Sequence, residues 1–151
     1  MFAWLRRLLN RPSVSPSVTS PVVVPFSWPE TARRLSTRTE VESTLHEERA
    51  VVYISVDWSG QERLSRRTFA EFVHRIEREQ SELRVTFWIM SEQSESIDEW
   101  FRALYLSGAA AGGYGALVWL QRGQLQDVEG YAAQAGVENL VKRTLKLWGE
   151  T

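Results

Sequence analysis

The chain has 151 residues, 43% of them hydrophobic and 25% charged, with a formal net charge of −1. This is the composition of a globular domain, and the near-balance of charge gives no indication of a surface that binds polyanions as a whole. Cysteine is absent, which removes disulfides, thiolate metal sites and every thiol-based reaction from this chain.

The first thirty residues differ from the rest. All five prolines (Pro12, Pro16, Pro21, Pro25 and Pro29) lie there, and all nine glycines lie from Gly60 onward. Prolines every four or five residues remove amide donors and fix φ, so an extended linker is predicted over 12–30. Ahead of it, residues 1–11 form a short amphipathic segment. On a helix, Trp4, Leu5, Leu8 and Leu9 share one face, with Arg7 and Arg11 opposite. With Phe2, that face suits weak peripheral contact with a membrane or docking on a partner. Arg6 and Arg7 interrupt the apolar run, so it makes a poor secretory leader. No stretch approaches the ~20 apolar residues of a membrane span. The expected compartment is the cytoplasm, with a membrane surface as the alternative. Residues 1–38 hold six arginines and one acid, Glu30, which favours an anionic contact for this tail.

Residues 31–151 carry the pattern of one folded domain. Thr39-x-x-Glu42 reads as a capping box opening a short helix. Val51–Val56 is a nearly continuous apolar run rich in β-branched residues, the mark of a strand buried on both faces. After a turn at Gly60, residues 61–79 place Leu64, Phe69, Phe72, Val73 and Ile76 at helical spacing. The pairs Glu62/Arg66 and Glu71/Arg75 are placed on exposed faces at i,i+4, each worth ~0.2–0.5 kcal/mol. Val85–Met90 is a second buried strand. A strand, a helix and a strand in so short a span predict a parallel βαβ unit.

A second capping box, Ser96-x-x-Glu99, starts a helix whose face holds Ile97, Trp100, Phe101, Leu104 and Tyr105. A glycine- and alanine-rich loop, 107–115, leads into the strand Ala116–Leu120. A turn at Arg122-Gly123 joins it to the half-exposed strand Gln124–Glu129, predicting an antiparallel hairpin. A helix over 137–148 ends the chain, with Val137, Leu140, Val141, Leu145 and Trp148 on one face. The order, counting one unlocated first strand, is strand, helix, strand, helix, strand, helix, two strands, helix. That is an α/β fold with a mixed β-sheet and helices on both faces.

From Val52 to Glu62 and from Gly113 to Leu125, this chain resembles the thioredoxin family. Val52–Val56 run into Asp57-Trp58-Ser59-Gly60-Gln61-Glu62, where thioredoxins have a strand and then Trp-Cys-Gly-Pro-Cys at a helix start. Gly113-Tyr114-Gly115 and the hairpin after it fall where the family has Gly-Ile-Pro-Thr and its last two strands. Gly130 matches the glycine after the edge strand. The resemblance covers roughly residues 36–148 and implies a thioredoxin-like sheet. It also implies what is missing. Ser59 and Glu62 stand at the two cysteine positions, Gln61 at the motif proline, Gly115 at the cis-proline and Tyr53 at the buried acid. A serine and a glutamate cannot exchange disulfides. A cis bond before a non-proline residue costs ~2.5–4 kcal/mol, so a trans or rebuilt loop is expected at Gly115.

Other chemistries find little support. Ser59 and Glu62 sit at a helix start, but His74 lies about four turns further along and out of reach as a base. Ser59 as the N-cap and Glu62 as a first-turn acid is the simpler expectation. The Gly108–Gly115 loop precedes a strand and lacks the lysine of a phosphate loop. The acids from Glu92 to Glu99 lack the spacing of a calcium loop. His46 and His74 are too far apart in sequence for a histidine metal centre. Arg63, Arg66 and Arg67 are interleaved with acids, which reads as a solvated face and not as a nucleic-acid site. No catalytic residue, metal or cofactor is expected. The expected role is a redox-inactive protein-interaction or assembly module with an unidentified protein partner. Its candidate binding residues are Trp58, Ser59, Gly60, Gln61, Glu62, Tyr114 and Gly115. The alternatives are an accessory subunit working through its tail, or a non-thiol enzyme at Ser59/Glu62.

Overall fold

The apolar run at residues 50–55 is continuous because both faces of that segment are covered: Ala50–Ser55 forms β2, and all six residues are buried. The computed structural model describes residues 25–44, 46–91 and 113–150. The amphipathic segment 1–11, most of the Pro-rich stretch, the helix read over 97–105 and the loop up to residue 112 lie outside the described residues. Around β2 the chain lays down β1 (Arg33–Leu35), α1 (Arg38–Thr44), α2 (Glu62–Glu79), β3 (Thr86–Ser91), β4 (Ala116–Gln121), β5 (Gln124–Glu129), α3 (Ala132–Ala135) and α4 (Val137–Trp148).

The five strands form one sheet in the order β1-β3-β2-β4-β5. β2 and β3 are parallel, as the βαβ reading requires, with Val52 opposite Trp88 and Tyr53 opposite Ile89. β4 pairs antiparallel with β2 and with β5. β1 is the strand the sequence left unlocated; it runs parallel to β3 along the sheet's far edge. At the hairpin turn Arg122 and Gly123 both take positive φ, 47° and 74°, as a two-residue turn that matches the sheet's twist requires.

Side chains alternate across β2 and divide the core. Val51 and Tyr53 join Phe69, Phe72, Val73 and Ile76 of α2 and Leu140, Val141 and Trp148 of α4. Val52 and Ile54 join Leu35, Val41, Trp88 and Val118 on the opposite face, which α1 covers. Trp88, Trp119 and Trp148 are core residues as their patterns predict. The indole of Trp119 donates to Thr144 Oγ1 at 3.0 Å, tying β4 to α4.

Three local expectations are corrected. The capping box lies two residues earlier than predicted: Glu40 N–H donates to Thr37 Oγ1, and Glu40 Oε2 accepts from the Thr37 amide at 2.9 Å and the Ser36 amide at 2.6 Å. Those two amides hold the Glu40 carboxyl below its usual range. Second, the residue before α2 is Gln61, which makes no side-chain cap, so Ser59 is not the N-cap. Third, Leu64 is exposed while Glu62 is buried. At about 100° per residue, Leu64 falls ~140° from Phe69, off the inward stripe, whereas Glu62 and Ser65 fall on it.

Candidate functional site

The carboxyl end of β2 and the first turn of α2 meet at Glu62. Its side chain is 0% exposed, and the charge is met from three directions. Tyr53 Oη donates to Oε1 at 2.6 Å. Arg66, one turn along α2, donates to Oε2 from Nε at 3.0 Å and from Nη2 at 2.6 Å. The Ser55 hydroxyl lies 3.4 Å from Oε1 and 3.2 Å from Asp57 Oδ1. Asp57 is itself 3.6 Å from Arg66 Nη2. The expected exposed Glu62/Arg66 pair does form, but its acid is buried and its arginine is half-buried. Burial, then the hydrogen bond to Glu62, push the Tyr53 phenol far above its ordinary range. The phenol therefore stays protonated and acts as a donor, not as a base.

Aromatic rings close this cluster from the side. Tyr53 stacks on Phe69 with centroids 4.7 Å apart. Trp28 lies 5.7 Å from Tyr53 and takes the Arg66 guanidinium over its ring at 5.0 Å. Phe26 packs edge-on to Trp28 at 4.9 Å. These two rings come from the end of the Pro-rich stretch, where extended backbone lets each point onto the domain.

Gly115 completes the floor. It has φ +83°, and a Cβ there would lie 2.4 Å from Tyr53 Oη and 2.6 Å from Ser65 Cβ. No peptide bond of the described residues is cis, in line with the trans bond expected there. The Gly115 carbonyl accepts from the Ala132 amide at 3.0 Å, and Ser65 Oγ accepts from the Ala133 amide at 3.1 Å. These two bonds anchor α3, a short helix the sequence reading did not contain.

Above this floor the surface is different. Trp58 is 67% exposed, its ring edge resting where a Cβ on Gly113 would be 3.1 Å away. Tyr114 is 38% exposed and lies 4.8 Å from the Tyr131 ring. Gly60 and Gln61 are exposed and Ser59 is half-buried. Of the seven candidate binding residues, Glu62 and Gly115 are buried and belong to the floor; the other five reach the surface. His74 is exposed on α2, with no part in the cluster.

A groove of about 210 Å³ opens beside the cluster at the carboxyl ends of β1, β2 and β3, lined by Arg34, Ser36, Ser55, Asp57 and Ser91 among others. Among the described residues, no three His, Asp or Glu side chains gather as a metal site would need. The roles of Tyr53, Ser55, Arg66 and Trp28 were not read from the sequence. The available signal was the position of Glu62 and Ser65 on the inward stripe of α2, which forces buried partners for both.

No protein family and no curated protein is matched by this sequence. Solved structures do match. Oxidized thioredoxin O2 from Arabidopsis thaliana shares 15% identity with a TM-score of 0.58, covering 82% of this chain and 100% of that one. Thioredoxin from Trypanosoma brucei brucei shares 11% identity with a TM-score of 0.57, covering 82% of this chain and 99% of that one. Chlamydomonas reinhardtii thioredoxin f2 shares 13% identity with a TM-score of 0.55, covering 80% and 99%. The fold is therefore thioredoxin-like, as the resemblance implied.

Proposed function

We propose that this cysteine-free thioredoxin-like domain is a redox-inactive, non-catalytic protein-binding module. The observation that carries this is Trp58, a large apolar side chain held 67% exposed at the head of α2 above a floor whose polar groups are mutually satisfied. Exposed tryptophan is a frequent interface anchor. Tyr114, Ser59, Gly60 and Gln61 complete the platform. Glu62 supports it from below by fixing the first turn of α2. A non-thiol enzyme at the same place is less well supported. The Glu62 oxygens are engaged by Tyr53, Ser55 and Arg66, and Ser59 has no base beside it. In this reading residues 1–11 and the Pro-rich stretch ahead of Phe26 tether the domain to a larger assembly or a membrane surface, within the cytoplasm.

The test is site-specific photocrosslinking in the native host. A photoreactive residue replaces Gln61 in the full chain, and another replaces Arg84 on the far turn as a control. The expected result is a protein adduct from position 61 that is absent from position 84 and is lost when W58A/Y114A is added. Adducts that form equally at both positions, or that survive W58A/Y114A, would overturn the reading.

A further inference from the structure

Three arginines open α2, and the helix sends them in different directions. Arg66 turns inward to Glu62. Arg63 and Arg67 are exposed, and neither side chain has a hydrogen bond or ion pair among the described residues. Beside them lies Leu64, 62% exposed. At 3.6 residues per turn, Arg63, Leu64 and Arg67 share an arc of about 100°, and Trp58 stands just ahead of the same helix end.

This arrangement works against the helix that carries it. The positive end of the helix dipole lies at the first turn, where cations are disfavoured. Glu62 does not compensate, because its charge is taken up by Arg66 and Tyr53. Arg63 in that first turn, beside the exposed Leu64, breaks a local stability rule with no gain inside the molecule, and Arg67 one turn on adds a second exposed cation, which together mark a functional surface.

We infer that this face of α2 receives an acidic segment of another protein, its carboxylates paired with Arg63 and Arg67 and its apolar side chains laid on Leu64 and Trp58. The inference rests on the binding-module reading and names the chemistry of the partner. Complementary charge speeds encounter and rejects wrong partners, while the apolar anchors supply affinity. An anionic membrane fits less well: polybasic lipid sites use clusters of about 4–8 cations, whereas this arc carries two with Glu71 beside them.

The experiment selects short random peptides, displayed on phage, against the full chain at low salt. Enriched peptides are then titrated by fluorescence anisotropy against wild type, R63E/R67E and W58A/Y114A. The expected outcome is net-acidic peptides with at least one large apolar residue. Their affinity falls about tenfold or more on both variants and weakens as salt rises. Enrichment of neutral peptides that are lost on W58A/Y114A but indifferent to R63E/R67E would overturn this inference and leave the platform reading standing. Enrichment indifferent to both variants, or none above an empty support, would overturn both. Co-sedimentation with phosphatidylserine-containing vesicles, abolished by R63E/R67E and unmatched by any peptide, would also overturn it in favour of lipid.

Discussion

Arg66 and Arg143 each hold two carboxylates, and both arginine side chains are 23% exposed. Arg66 holds Glu62 and, at longer range, Asp57 at the head of α2. Arg143 of α4 holds Asp127 at 2.8 Å and Glu129 on β5, donates to the Val128 carbonyl and lies over Trp119 at 5.0 Å. The difference lies in the acids. Glu62 has no access to water, whereas Asp127 and Glu129 keep 33% and 23% of their side chains exposed. A carboxylate that has lost its water depends wholly on its partners, so the same pairing is a structural necessity at one site and a modest clasp at the other.

The largest expected effect comes from breaking the dry pair. R66M takes the arginine from a fully buried carboxyl, and urea unfolding should show a loss of ~3–5 kcal/mol. E62M/R66M should recover much of that, since two apolar residues leave no stranded charge. Recovery fails if Tyr53, deprived of its acceptor, dominates instead. Next is the packing above the pair. G115A forces a Cβ against Tyr53 Oη at positive φ and should cost roughly 1–3 kcal/mol. Y53F should relieve part of that cost, so the two changes should be non-additive in a double-mutant cycle.

Titration separates the two clusters further. The folded Tyr53 phenol is raised, so its contribution is complete below the ordinary phenol range near pH 10. Stability should then fall with rising pH by up to about 1.4 kcal/mol per pH unit, and Y53F should flatten that alkaline limb. Asp127 is shifted the other way. Its hydrogen bond from Arg143 comes first among the causes, and the Val128 amide also lowers it. Its contribution is present above the usual aspartate range and is lost as pH falls through its lowered folded value. D127N should remove that acid limb at a cost of no more than ~1 kcal/mol at neutral pH. Smallest of all, W58A/Y114A and R63E/R67E should shift stability by only about 0.5 kcal/mol, as expected for surface groups with few contacts.

The sheet was legible because its strands are apolar runs of the right length, and α4 emerged with its predicted bounds because its apolar residues recur at helical spacing along its whole length. The site was half legible. The surface residues at 58–61 and 114 follow from position alone. The floor did not, because a glutamate and an arginine four apart are usually exposed, and that prior outweighed the helical arithmetic that turns Glu62 inward. Trp28 gave no periodic signal: it lies among prolines and its contacts are all distant in sequence. β1 is three residues long, too short for alternation to appear.

The fit of Tyr53 against Gly115 makes the missing chemistry hard to regain. The phenol fills the space a side chain at 115 would need, and it also holds the carboxylate standing at a cysteine position. Placing proline at 115 meets the phenol. Removing the phenol takes one hydrogen bond from the buried Glu62, and replacing Glu62 by cysteine takes from Arg66 the nearer of its two carboxylates. Each single step at 53, 62 or 115 toward a redox-active sequence passes through a less stable protein, so these three positions work as a ratchet that lets the fold drift on its surface while holding its interior away from thiol chemistry.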